Sequence, residues 1–154
     1  MLAAVGMIAG KSRWQRFSYF MIAFGIWDIF YYVWLKVILN WPASLLDWDI
    51  LFLIPLPWIG PVVAPVLVSI VMIAGGWLII AREDASGRFS ATKSAIIFSL
   101  VGSALVIASF LVDPDASMRF QEPKPYRYEL LVISMICYTT AFIITWKSSR
   151  QATM

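Results

Sequence analysis

Apolar residues in this chain fall into four long blocks. These are Phe17 to Leu39, Pro61 to Ala81, Ala95 to Val112 and Leu130 to Trp146, with short polar segments between them. The first block, at 1.5 Å of helical rise per residue, is about 34 Å long, enough to cross a bilayer with some tilt. The others are shorter but still within reach of a membrane span. The pattern predicts four transmembrane helices at 17–39, 61–81, 95–112 and 130–146.

The segments between blocks carry the punctuation. MLAAVGMIAG at the start is apolar but too short to span, and it lacks the basic lead and small-residue cleavage pattern of a signal peptide. It reads as an interfacial lead-in or as the end of a longer hydrophobic segment, with the former favoured. Lys36 sits near the end of the first span, where its ammonium can snorkel to the interface. Asn40, Trp41 and Pro42 read as a helix stop, followed by the connector ASLLDWD with Ser44 as a candidate cap. Pro55, Pro57, Pro61 and Pro65 then crowd into one stretch. An interior proline removes an amide donor and clashes with the preceding turn, so this stretch is not one regular helix. The expectation is an interfacial or partly re-entrant piece at 50–58. Pro61 would then sit in the first turn of the second span, and Pro65 would bend that span one turn in. Residues 82–93 form a polar connector, residues 113–129 an ordered outer loop, and KSSRQATM a polar, frayed tail.

Composition sharpens the picture. The chain has 154 residues, 61% hydrophobic and only 14% charged, with a mean hydropathy of +0.80. Soluble domains hold about a quarter charged residues, and one this small has too little interior for so much apolar surface. The predicted class is therefore all-α: one integral membrane four-helix bundle over residues 1–154, with a proline-broken segment before the second span. The formal charge of +3 does not point to nucleic acid, because the cations sit in short segments between apolar runs rather than in a basic stripe. Lys11, Arg13, Arg16, Arg82, Arg88, Lys93, Lys147 and Arg150 fall on one side of the predicted bundle. Arg119, Lys124 and Arg127 fall on the other, with Lys36. The positive-inside rule then places both termini in the cytoplasm, in a plasma or inner membrane. With no histidine and one cysteine, Cys137, the chain has no His-ligated haem, no Ser-His or Cys-His pair and no internal disulfide. No cofactor or metal is expected.

Candidate chemistry is confined to a few positions. Asp28 lies near mid-membrane, where a carboxylate costs roughly 2.5–3.5 kcal/mol to insert. It must be neutralised, hydrogen-bonded or facing water. Its i+3 and i+4 neighbours, Tyr31 and Tyr32, are the donors expected to reach it. WDIFYYVW thus reads as a proton-handling carboxylate, as the polar end of a lipid or quinone pocket, or as a structural hydrogen bond locking the helix to its neighbours. Asp47 and Asp49 flank Trp48. Two carboxylates are too few for a metal site, and capping or an interfacial role is the expectation. Ala91, Ala95, Ser99 and Ser103 repeat every fourth residue, with Gly102 beside them. This pattern lets helices approach closely, inside the bundle or against another subunit. Gly75 and Gly76 offer the same in the second span. Arg119, Glu122, Lys124, Arg127 and Glu129 read as a solvated outer face, and the inner Arg82, Glu83, Asp84 and Arg88 as a mixed-charge loop.

WDIFYYVWLK and NWPASLLDWDILFLIPLPWIGPVVAP together resemble small bacterial membrane proteins that share a WDIFYY element and a WPxSLLxWDILFLIPxPWxGPVxAP element. The resemblance spans roughly residues 10 to 80. It implies membrane residence and further hydrophobic sequence upstream, and it carries no activity.

The leading expectation is a non-enzymatic membrane bundle in contact with lipids, as a subunit of a larger complex or a homo-oligomer. One rival is a small proton- or ion-coupled transporter or channel using Asp28. Against it, the second half of the chain has no helix break to pair with the proline-rich one, as an inverted repeat would require. The other rival binds a lipid or quinone between Trp27, Tyr31 and the proline-broken segment.

Overall fold

A computed structural model of the chain describes residues 1–53, 57–87, 89–111, 119 and 125–151. It holds α1 (Leu2–Ala9), α2 (Arg13–Leu39), β1 (Trp48–Phe52), β2 (Trp58–Pro61), α3 (Val63–Ser86), α4 (Lys93–Phe110) and α5 (Tyr128–Gln151). Helices α2 to α5 are each long and apolar enough to cross a membrane. In the most apolar stretch of α2 only 11% of the residues are buried within the protein. Ile26, Phe30, Val33, Trp34 and Val37 instead face outward. Such a surface is stable only with hydrocarbon around it. The chain is a multi-pass integral membrane helical bundle.

Local chemistry sets the helix ends. Ser12 caps α2 by accepting from Gln15 N at 3.0 Å, and the Gln15 side chain accepts from Lys11 N in return, a variant of the capping box. Asn40 ends α2 in the left-handed conformation, φ 53°, as the stop signal predicted. Lys36 Nζ donates to Pro42 O at 2.9 Å, tying the helix end to the connector. Thr92 caps α4 by accepting from Ala95 N. The short α1 folds back on the start of α2, with Gly6 against Arg16 and Phe20.

Several expectations are corrected. Pro61 is the last residue of β2 rather than a first-turn residue, and α3 begins after it. Its free amides are met by backbone, with Val62 N donating to Asp47 O and Val63 N to Leu45 O. Pro65 falls within the first turn of α3, where an amide hydrogen is not needed, so the proline is accommodated there. Helix α3 also runs beyond Ala81, through Arg82, Glu83 and Asp84, and stops at Gly87, whose φ of 72° is the left-handed cap. The expected 82–93 connector shrinks accordingly. Helix α5 likewise continues past Trp146 to Gln151, into the segment expected to fray. Arg119, Arg127 and Glu129 are exposed, while Arg88, Pro55, Glu122, Lys124 and most of the 113–129 loop lie outside the described residues.

The largest difference concerns residues 48–61. In place of the all-α segment expected around 50–58, β1 and β2 form an antiparallel hairpin, with Trp48 opposite Pro61, Asp49 opposite Gly60 and a bulge between Ile50 and Phe52. Pro61 sits at the end of a strand and Pro57 outside the ladder, where they cost no hydrogen bond. The hairpin supports the main core, in which Ala64, Val106, Phe110, Tyr126 and Leu131 are all buried. Trp58 stacks over Phe110 at 6.3 Å, and Gly60 is bare because a Cβ would lie 2.7 Å from the Phe110 ring. Tyr126 bonds Ser109 at 2.9 Å, and burial pushes its phenol above the usual tyrosine range.

Four helices arrange as two antiparallel pairs, α2 with α3 and α4 with α5. Gly25 packs against Ser69 and Ile73, Gly76 against Ser18 and Ile22, and Gly102 against Ser134 and Tyr138. At Gly25 and Gly76 a side chain would prevent the close approach, and at Gly102 it would crowd it. Between the pairs contact is sparser, mainly α3 with α5 and the hairpin with α4. Trp14 meets Phe89 at 5.1 Å, and Arg82 donates to Trp146 O while lying 4.2 Å above the Trp146 ring. These contacts join the start of α2 to the α3–α4 connector, and the end of α3 to the end of α5.

Candidate functional site

The α2–α3 contact places the acid at its centre. At Gly25 an added Cβ would stand 2.6 Å from Ser69 O, so the bare glycine is what lets α3 come this close. One turn further along α2, Asp28 Oδ2 accepts a 2.8 Å hydrogen bond from the Ser69 hydroxyl. Ser69 is 1% exposed and Asp28 half-buried.

Tyr31 and Tyr32 do not supply the donors that the helical spacing suggested. Tyr32 is buried, and its hydroxyl donates to Asp49 Oδ2 at 2.8 Å, while Asp49 Oδ1 accepts from Ile50 N at 2.8 Å. A phenol tip stands far out from the helix axis, whereas a carboxylate stays near its own backbone. The two therefore meet across elements more readily than within one turn. Tyr31 stacks on Trp27 at 6.2 Å and meets Tyr32 edge-on at 5.2 Å.

Asp47 and Asp49, close in sequence, have separate surroundings. Asp47 Oδ2 accepts from Ala43 N at 2.6 Å and from Ser44 N at 3.3 Å, and Oδ1 accepts from Ser44 Oγ at 3.1 Å. The Ala43 amide above all, with Ser44 and the Lys36 ammonium, holds its carboxyl below the usual range. Asp47 thus organises the loop, and Ser44 serves as its partner. Asp49, on β1, points to Tyr32.

Asp28, Tyr31, Tyr32 and Asp49 line one cavity of about 450 Å³, together with Ser69, Trp58 and aromatic and aliphatic side chains of α2, the hairpin, α3, α4 and α5. That is within the range of small-molecule sites. Its described walls carry two carboxylates and no Lys or Arg. Among the described residues, the buried Trp58 indole Nε1 meets no hydrogen-bond partner. Among the described residues no three His, Cys, Asp or Glu side chains come together as a metal ion would need.

The predicted small-residue set divides. Gly102 and Ser103 meet α5, with Ser103 Oγ 3.0 Å from Tyr138 Oη, whereas Ala95 and Ser99 line a second cavity. Gly76 packs against α2 while Gly75 faces that same cavity. Ser69, Trp58 and Tyr138 were not singled out from sequence. Ser69 and Tyr138 are polar residues within apolar spans, a signal that was available, but Trp58 looked like any interfacial tryptophan. Comparison with known proteins gives no match to this chain among family models, curated proteins or solved structures.

Proposed function

We propose that this protein binds a lipophilic molecule within the membrane, without transforming it, in the cavity between its helix pairs. One observation carries the reading: a cavity of about 450 Å³ walled by Asp28, Tyr31, Asp49 and Trp58 inside a membrane-spanning bundle. Apolar walls with a few convergent polar groups are what such ligands require. Two carboxylates and no cation disfavour an anionic head such as a phosphate or fatty-acid carboxylate. They suit a neutral or cationic head that donates hydrogen bonds. The WDIFYYVWLK and Trp48–Pro65 stretches, singled out by their resemblance to small bacterial membrane proteins, contribute Trp27, Asp28, Asp49 and Trp58 to these walls.

Native mass spectrometry of the particle gently extracted from its membrane tests the reading. A discrete small molecule retained by the parent and lost from Asp28→Asn supports it. A bare particle, or equal retention in Asp28→Leu, overturns it. A stoichiometric second protein would make the chain a subunit that presents this site to a partner.

A second reading, favoured by two carboxylates sharing one cavity, is proton- or cation-coupled transport through Asp28. Vesicle flux separates the two: an Asp28→Asn protein with the parent's flux removes this reading. From the distribution of Lys and Arg, we infer that the ends of the chain near Lys11 and Lys147 face the cytoplasm.

A further inference from the structure

A second cavity, of about 620 Å³, lies between the helix pairs on the side away from the hairpin. Trp14 and Met21 from α2, Gly75 and Leu78 from α3, Ser99 from α4 and Phe142 from α5 are among its walls. None of the described lining residues is Asp, Glu, Lys or Arg. Two of its hydroxyls are engaged by the protein: Ser103 donates to Ser99 O, and Thr145 to Ala141 O. With no charged group on its described walls, this space suits an apolar chain better than a polar head. Val68, Ser103 and Tyr138 wall both cavities, so the two volumes are neighbours on either side of the Ser103–Tyr138 bond.

From this adjacency, and resting on the ligand-binding reading above, we propose that the second cavity holds the apolar chain of the molecule whose head sits at Asp28. The occupant is a single long-chain amphiphile with an uncharged or cationic, hydrogen-bond-donating head. Chain length is then selected by the protein: a short chain fills only the hairpin-side cavity, and a long one passes the Ser103–Tyr138 pair. Each methylene moved into the second cavity adds to affinity through burial.

The experiment is titration of octylamine and hexadecylamine against the protein in phosphatidylcholine nanodiscs, for the parent, Ser99→Leu and Gly75→Leu. Both substitutions place a larger side chain on a wall of the second cavity, and at Gly75 an added Cβ would meet only the flexible end of Met21, 3.3 Å away. Comparing the ratio of the two affinities between proteins cancels partition into lipid. The ratio is expected to fall by about ten-fold or more in each variant with octylamine binding unchanged. An unchanged ratio overturns the chain site while leaving the head site standing. No binding of either amine to the parent above that of empty nanodiscs removes the ligand-binding reading and this inference with it. A measurement needing no variant is photocrosslinking with hexadecylamine bearing a terminal diazirine. Crosslinks within residues 14–21 and 95–103 support the proposal, and crosslinks confined to the outward-facing Trp34 and Val37 overturn it.

Discussion

The two helix pairs solve the same packing problem with different polar groups. In α2–α3, glycines at Gly25 and Gly76 bring the backbones together, and the bond across the interface joins a carboxylate, Asp28, to Ser69. In α4–α5, Gly102 does the spacing, and the bond joins two neutral hydroxyl groups, Ser103 and Tyr138. A serine–tyrosine pair gives an interhelical hydrogen bond without introducing a formal charge into the membrane. A carboxylate gives the same bond at a far larger insertion cost, and one serine does not neutralise it. The excess cost is the physical reason to look for function on the first pair rather than the second. Asp28 also faces a cavity shared with Asp49, which the other pair reaches only with uncharged groups.

That contrast can be broken most directly at the glycines. Gly25→Ala puts a methyl 2.6 Å from a backbone oxygen, which cannot swing aside. We expect a loss of about 1–3 kcal/mol, seen as a lower Tm in detergent. Gly102→Ala meets the Tyr138 ring at 3.2 Å and Ser134 O at 3.3 Å, and a few tenths of an ångström of adjustment suffice. Its Tm should fall less, and an equal fall for the two would mean that the pairs are packed alike.

Removing the polar bonds sharpens the comparison next. Ser69→Ala withdraws the donor from Asp28 and is expected to cost about 1–2 kcal/mol. Tyr138→Phe removes a neutral bond and should cost nearer 0.6 kcal/mol, roughly the average for such bonds between membrane helices. Thermal unfolding of both variants in the same detergent decides the order. If Tyr138→Phe is the more damaging, the distinction between a charged and a neutral pair fails.

The smallest effect concerns Asp47, the acid that only shapes its loop. Its carboxyl is held below the usual range in the folded protein, so the unfolded chain takes up its proton first as pH falls. The stabilisation is therefore complete above the ordinary carboxylate range and fades as pH drops through the lower folded value. The Tm gap between the parent and Asp47→Ala should be present at neutral pH and close on strong acidification. A gap that does not change with pH would show that the Ala43 and Ser44 hydrogen bonds do not depend on the carboxylate's charge.

How much of this was legible in advance varied with the range of the interaction. The stop at Asn40 was readable because it depends on a few neighbouring residues. The hairpin was not, since Trp48 and Pro61 must pair across the intervening chain and both strands are apolar enough to hide any alternation. At the site, Asp28 announced itself as an acid in an apolar run. Its partner did not, because Ser69 is forty-one positions away and is brought near only by the bare face at Gly25. Asp47 and Asp49 looked like a pair and were separated by structure, one turned to its own loop and one to Tyr32.

The sequence by itself determined that this chain lives in a membrane, that it has four long apolar helical stretches and which acid is out of place among them. Transfer into lipid is close to additive along the chain, so composition over each stretch is enough to decide it. Only the tertiary structure decided which hydroxyl meets which carboxylate, which small residues pack and which line empty space, and that two cavities share a wall at Ser103 and Tyr138. Those outcomes depend on the distance between helices remote in sequence, and that distance is set by the absence of a side chain at single positions such as Gly25.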